Sequence, residues 1–343
     1  MKHLHKIAFL PLFAALLLAA CDRNRHTPDP DTEKVPLSFS ALSHNIPVKA
    51  GESPLSESHQ DFGVWGYATK QGQMDYLIWE ERAMSRVKYS ENSGSFIPDT
   101  YAFWFSGYDY NFIAIAPYTD GAGRLTSFAI GQNKDTLSFA YDMSDIYAPS
   151  TEGVAPRPGI DLMGSIAKAH VEKAVDKGVQ DLVFHRLTSR IDIKVKFDDT
   201  DNVLSGTPEI TGLRLENVDA NAAYTISYSS DNELGIKCTV GDNSRTTIPL
   251  TLTGTTDGWQ AVTAYILPQS VTGFRLYMDF TIDGVEYEDF PINLNFPADD
   301  TYYAINQWHT WNITLKPSLF VLFEPSVTDW ADGGPADDEI GFN

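Results

Sequence analysis

From about residue 35 onward, apolar and polar residues alternate with a period of two. "VPLSFSA" sets Val35, Leu37, Phe39 and Ala41 on one side. "RIDIKVKF" does the same with Ile191, Ile193, Val195 and Phe197, and "GFRLYMDFTI" with Phe274, Leu276, Met278, Phe280 and Ile282. Alternation of this kind predicts strands with one buried face. Asp-Gly pairs punctuate the runs at 120–121, 257–258 and 283–284. The last lies between two alternating segments, where a tight type I′ hairpin is expected. One stretch, "SIAKAHVEKAVDKG" from Ser165 to Gly178, has helical composition; it is short, and helix, loop and strand all stay open for it. Many short strands without intervening helices predict an all-β chain of antiparallel β-sandwiches and argue against a parallel sheet with crossovers. The organisation expected is two sandwiches in tandem, at 35–180 and 181–343, the second ending in a short acidic tail.

The first residues break this pattern. Lys2 and Lys6 precede an apolar run from Ile7 to Ala20 that ends in Leu18-Ala19-Ala20-Cys21. Such a run is too short for a bilayer anchor and reads as an export signal over residues 1–20. The ending resembles a bacterial lipobox, which makes Cys21 the lipidated first residue of the mature chain. Residues 21–34 are polar apart from that cysteine, carry two prolines and read as a flexible tether.

Charge and chemistry narrow the function. The formal net charge is −21, from 46 acidic and 25 basic residues, so a nucleic-acid partner is not expected, because phosphate binding needs a basic footprint. Cys238 shares parity with Leu234, Ile236 and Val240 and reads as a buried, inert thiol. Zinc-protease, nucleophile-elbow, P-loop and paired-cysteine motifs are missing, and "GAGRLT" at Gly121 lacks the third glycine of a dinucleotide fingerprint. Asp198, Asp199 and Asp201 could hold calcium at a turn, but in so acidic a chain a solvated loop is the plainer reading. No cofactor, metal or catalytic residue is assigned.

"LVFHRLTSRIDIKVKF", Leu182 to Phe197, gathers His185, Arg186, Ser189 and Arg190. As one strand it would place Val183, His185, Leu187, Ser189, Ile191 and Ile193 on one face, and the charged Arg186, Arg190, Asp192, Lys194 and Lys196 on the other. His185 and Ser189 would then stand about 13 Å apart, too far for a base and its nucleophile. The aromatic run "YAFWFSGYDYNFIAIAPY", Tyr101 to Tyr118, fits a packed sheet first and a sugar-stacking platform second.

Taken in order, several segments resemble the fimbrillin family of Bacteroidales lipoproteins, subunits of pili and related surface adhesins. They are the lipobox, "PLSFSALS", "DFGVWGYAT", the Tyr101 to Tyr118 run, "DLM" at Asp161, "VFHRLTSRIDIKV", "AYILPQ", "WNITL" and "FEPSVTDW". The resemblance implies two transthyretin-like sandwiches and a non-enzymatic subunit, anchored by lipid in the outer membrane or built into a fimbria. It further implies joining to other fimbrillin subunits by strand exchange. A trypsin-like cut after a basic residue frees a groove, and the matching place here is Lys49-Ala50. The removable strand is then 35–43, with Val35, Leu37, Phe39 and Ala41 as its inward residues. In the tail only Ile340 and Phe342 alternate as apolar plugs for a donor strand. Asp135-Thr136-Leu137 resembles a short O-glycosylation sequon, with Thr136 as acceptor. The competing expectation is a surface lipoprotein that never polymerises and binds carbohydrate or a host protein, with Trp65, Trp79, Trp104 and Trp259 as stacking surfaces.

Overall fold

The structure is a computed structural model that describes residues 34–43, 60–70, 76–79, 84–118, 125–144, 160–198, 208–228, 234–241, 245–254, 258–296, 302–316 and 321–329. Within them the chain is all-β, and its strands are numbered in chain order.

The N-terminal half is organised by an eight-stranded sheet. Its order is β4 (Tyr76–Leu77), β3 (Phe62–Thr69), β5 (Ser85–Ser90), β6 (Ser95–Pro98), β2 (Phe39–Ser43), β12 (Gln180–Arg186), β11 (Met163–Val171) and β8 (Tyr108–Ala116). Because β8 also pairs with β3 along Gly63 to Thr69, the ladder closes on itself. A small two-stranded sheet, β1 (Val35–Pro36) on β7 (Phe103–Trp104), lies beside it. Inside are Phe39, Phe62, Phe96, Phe112, Trp104, Tyr110 and Phe184, all buried.

A four-stranded sheet packs on the outside of this closed ladder. It contains β9 (Leu125–Ile130) and β10 (Thr136–Asp142), followed by β15 (Asn221–Tyr228) and β16 (Leu234–Val240), so it joins strands from both halves of the chain. That contact explains why β3 and β8 are buried on both faces. Phe62, Val64 and Phe112 point inward, while Trp65, Tyr67, Ile113 and Ile115 face Leu137, Phe139 and Tyr224 of the added sheet. Gly164 sits where this approach is closest: a Cβ there would lie 2.6 Å from the Ile226 side chain.

The C-terminal half is a two-layer sandwich. One layer runs β18 (Thr253–Gly254), β19 (Gln260–Ile266), β13 (Ser189–Phe197), β24 (Gln307–Leu315) and β25 (Val321–Asp329). The other runs β17 (Arg245–Leu250), β14 (Glu209–Asp219), β21 (Arg275–Ile282) and β22 (Val285–Ile292), and β20 (Gln269–Ser270) pairs with β23 (Tyr302–Tyr303) at one end. The core follows the alternation: Ile191, Ile193 and Val195 from one layer meet Leu276, Met278 and Phe280 from the other. The Asp283-Gly284 turn joins β21 to β22 with Ile282 opposite Val285, and both turn residues have positive φ, 51° and 77°, as a type I′ turn requires.

One open reading is settled and two expectations change. The helical-looking stretch after Ser165 continues strand β11 to Val171, and only one 3₁₀ turn, Ala174–Asp176, follows. Among the described pairings two are parallel, β2 on β12 and β13 on β24; alternation reads burial and carries no information on strand direction. "LVFHRLTSRIDIKVKF" is two strands in different sheets, separated by the buried corner Leu187-Thr188. In β12 the even positions Leu182, Phe184 and Arg186 are inside and Val183 faces out, so the predicted parity holds only in β13. The corner is tied by the Leu187 amide donating to Leu162 O at 2.7 Å and by the Tyr224 hydroxyl donating to Leu187 O at 2.8 Å.

Candidate functional site

Residues 35–43 form an extended segment laid into the N-terminal sheet. Val35 and Pro36 lie opposite Trp104 and Phe103, and the Leu37 amide donates to Ala102 O at 2.8 Å. From Phe39 to Ser43 the segment runs parallel to Gln180 to Phe184, preceded by the Gln180 amide donating to Ser38 O at 2.9 Å. On its other edge it meets β6 at a single registered pair, Phe39 with Phe96. Leu37, Phe39 and Ala41 are inside and essentially without exposure, as their parity predicts.

The floor beneath them is aromatic. Phe39 packs edge-on against Phe112 at 5.2 Å and Phe62 at 6.4 Å, and Phe62 in turn touches Phe184 and Phe96. Trp104 stands against Tyr110 at 4.7 Å and Phe112 at 5.8 Å. The buried Tyr110 hydroxyl, which accepts the Phe105 amide at 2.7 Å, has its pKa raised chiefly by desolvation. Burial of the Leu37 and Phe39 side chains contributes about 1.5–3 kcal/mol each. The outward side differs: Ser40 donates to the Asp181 carboxylate, while Leu42 is 46 % exposed and pairs across the ladder with Val183. The seat is thus an apolar trough filled by a short strand that has strong backbone pairing on one edge only.

The residues first suspected of catalysis do not come together. Ser189 donates its hydroxyl to Ala304 O, at the start of β13, while His185 lies in β12 opposite Gly164. Arg186 forks onto Asp161, its Nε 2.9 and 3.1 Å from the two oxygens. Burial pushes the Asp161 carboxyl up to about 6, with the guanidinium opposing the shift. Asp192 is enclosed more fully. It accepts from Arg190 at 2.8 and 3.1 Å, from the Thr263 hydroxyl at 2.7 Å and from the Trp308 indole at 3.0 Å, and the Arg190 guanidinium lies over the Trp308 ring. Burial, followed by the nearby Asp161 charge, pushes the Tyr265 hydroxyl up to about 12. This is a structural junction whose carboxylates are occupied. Its trace in the sequence was the opposite charges of Arg190 and Asp192, two residues apart on one strand face.

His309 stacks on Tyr303 with ring centroids 3.5 Å apart, and burial lowers its pKa to about 3. Cys238 is half-buried opposite Tyr224, and desolvation raises its thiol to about 11, which leaves almost no thiolate at neutral pH. Asp198 donates its amide to Leu315 O at 2.8 Å; Asp199 and Asp201 lie outside the described residues. Among the described residues no three His, Cys, Asp or Glu side chains gather into a metal-binding group. Thr136 opens β10, half-buried, its hydroxyl donating to Asp135 at 3.3 Å. Cys21, Lys49, Ala50, Ile340 and Phe342 all lie outside the described residues.

The tryptophans separate the two functional expectations. Trp65, Trp79 and Trp104 are buried, each below 5 % exposure. Trp259 alone of the four is partly exposed, with Lys196 Nζ over its ring at 4.5 Å. In the Tyr101 to Tyr118 run, Trp104, Tyr108, Tyr110 and Phe112 are core and Tyr101 is exposed. Sequence reasoning missed the part Trp104 and Gln180 play in lining the seat, because nothing local marks a residue as the cross-strand neighbour of a segment far away in the chain.

Comparison with known proteins agrees with this architecture. A crystal structure of a candidate cell adhesion protein from Bacteroides uniformis matches with a TM-score of 0.52 at 21 % identity, covering 88 % of this chain and 100 % of that one. Another, from Bacteroides ovatus, matches with a TM-score of 0.50 at 13 % identity, covering 87 % and 98 %. A fimbrial assembly protein from Parabacteroides distasonis aligns over 86 % of this chain and 100 % of its own at 11 % identity, with a TM-score of 0.38. At these identities the first two likenesses speak for the fold alone. A search of curated proteins gave no match. The model of the fimbrillin-like family matches residues 50–330, most of the chain, and the protein belongs to that family.

Proposed function

We propose that this protein is a structural subunit of a cell-surface fibre, delivered to the outer membrane on a lipid at Cys21 and joined to other subunits by strand exchange at the seat of residues 35–43. Its N-terminal unit, which takes in β12 to Arg186, and its C-terminal sandwich act as one link, coupled through the four-stranded sheet that draws strands from both halves of the chain. The observation that carries the reading is the insertion of Leu37, Phe39 and Ala41 into an aromatic trough on a segment held chiefly by one short ladder. Six residues beyond that segment stands Lys49, the cleavage position. Removing the strand would leave β6 and β12 as open edges above a row of apolar pockets, the arrangement that captures an incoming strand. Such a link is mechanical, and no catalytic group is assigned to it.

Treating the mature protein with a trypsin-like protease tests this. The expected result is release of an N-terminal peptide ending at Lys49, followed by oligomers that resist mild detergent. Cut protein that remains monomeric at every concentration would overturn the reading. The carbohydrate-binding alternative keeps little support, since three of its four tryptophans are in the core.

A further inference from the structure

Basic residues in this acidic chain differ in what they face. Arg86, Lys88, Arg186, Arg190 and Arg214 each meet a carboxylate. Among the described residues Lys34, Lys70 and Lys177 meet none, and all three converge on one short segment, Phe103 to Tyr108, where β7 turns into β8. The Lys34 ammonium lies 5.7 Å from the Phe103 ring centroid, the Lys177 ammonium 5.3 Å from that of Trp104, and the Lys70 ammonium 5.3 Å from that of Tyr108. They arrive from separate places: ahead of β1, after β3 and just after the 3₁₀ turn. The segment "FWFSGY" contains no acid. Glu172 and Asp176, in the loop that carries Lys177, pair with none of the three lysines. Like charges gathered on one turn repel one another, and an anion is what would relieve them.

The turn is held in place before any ligand arrives. Gly107 takes a φ of 78° and donates its amide to Val171 O at 2.6 Å, the Phe105 amide donates to the Tyr110 hydroxyl at 2.7 Å, and the Ala174 amide donates to Ser106 Oγ at 2.9 Å. Two further features narrow the ligand. Trp104 Nε1, in a side chain 2 % exposed and covered by Lys177, has no acceptor. A buried N–H without a partner is costly, and an anionic oxygen entering beside Lys177 would supply one. Tyr101, two residues before Phe103, is 72 % exposed, and Phe105 is half-buried. An open aromatic ring beside a cationic turn suits a sugar that carries a negative group, its C–H face on the ring and its carboxylate on the ammonium groups. Three cations about one turn match a few sugar rings, whereas a stable protein partner would bury roughly 800 Å² a side.

We propose that the β7–β8 turn is a binding site for an acidic glycan, with Lys34, Lys70 and Lys177 receiving its carboxylates and Tyr101 carrying a sugar ring. This goes beyond the subunit role and does not depend on strand exchange. It also differs from stacking on tryptophans, since the contacts come from lysines and a tyrosine.

The test uses the uncut mature chain, in which Lys34 is present, and isothermal titration with an oligogalacturonate. Its methyl ester keeps the sugar rings and removes the charge; poly-glutamate keeps the charge and removes the rings. The oligogalacturonate is expected to bind at least ten-fold more tightly than either, and less tightly as salt rises. Lys70→Gln and Lys177→Gln should each weaken it about five- to ten-fold, the scale of a charged hydrogen bond, while Lys177→Arg keeps most of the affinity. Lys88→Gln, at a lysine already paired with Asp99, should leave binding unchanged. Tyr101→Ala should weaken the oligogalacturonate several-fold. Poly-glutamate that binds as well as the oligogalacturonate overturns the glycan in favour of an acidic protein partner. Equal binding of the methyl ester, or Lys70→Gln and Lys177→Gln proteins that bind like the parent, overturns the site, as does an oligogalacturonate that does not bind.

Discussion

Among the described residues two strand pairs are parallel, and they are built to different ends. In the C-terminal sandwich β13 runs parallel to β24 from Arg190 with Trp308 to Phe197 with Leu315, and it is flanked on its other side by β19 from Ser189 to Val195. β24 is closed in turn by β25 along its whole length. In the N-terminal sheet β2 runs parallel to β12 for only Phe39 to Ser43, and its other edge meets β6 at one registered pair. The first ladder is an interior member fixed on both edges; the second joins a filler strand to its seat. Phe39 and Ala41 of β2 are as fully buried as Ile191, Ile193 and Val195 of β13, so burial of the inward face does not separate them. Edge pairing and polar ties do.

Breaking each ladder at its strongest point gives the largest effects. Phe39→Ala should weaken the hold on the segment by about 3–5 kcal/mol, the usual cost of emptying a buried aromatic site. Limited proteolysis should show 35–43 released early while the C-terminal sandwich unfolds at its normal temperature. Asp192→Ala should also cost about 3–5 kcal/mol, because it strands the buried Arg190, but here the thermal transition of the C-terminal half is the one that falls. If Phe39→Ala lowers both halves equally, the segment is part of one common core and the contrast is lost.

Acid should sharpen the contrast next. His309 titrates near 3 when folded and near 6.5 when unfolded. The unfolded chain therefore binds the extra proton, and stability is lost as pH falls from about 6.5 toward 3, by up to about 1.4 kcal/mol per pH unit. Asp161 works in the opposite sense. Its folded value near 6 lies above the ordinary carboxyl value, so its contribution is present below about pH 4 and fades as pH rises through 6. Over pH 7 to 4 the two slopes oppose each other, so urea midpoints should fall on acidification in Asp161→Asn protein and rise in His309→Phe protein. The smallest effect belongs to the outer side of the seat, where Asp181→Ala loses one exposed hydrogen bond to Ser40 and should change stability by less than about 0.5 kcal/mol.

Much of this contrast was written locally in the chain. Leu37, Phe39 and Ala41, the face of β21 and the Asp283-Gly284 turn follow from alternation and turn chemistry, because each depends on neighbours two or four residues away. β3 and β8 were harder. Buried on both faces, they read as continuous apolar runs, "FGVWGYAT" and "FIAIA", and one sequence does not say that a second sheet covers them. The corner at Leu187-Thr188 was hidden because the apolar parity of β13 seemed to extend backward through it. Strand direction and the meeting of 125–142 with 221–240 are long-range facts with no local signature. The candidate site divides along the same line: its filling strand was legible, and its lining by Trp104 and Gln180 was not.

Amide hydrogen exchange before and after the cut at Lys49 tests the central claim most directly. Among the described residues, 180–184 pair with β2 alone, while 191–195 have partners on both sides. After residues 35–49 leave, the 180–184 amides should lose protection, those of 191–195 should keep it, and assembly should restore the first group. Protection at 180–184 that survives departure of the segment, or fails to return in the assembled form, would contradict the account.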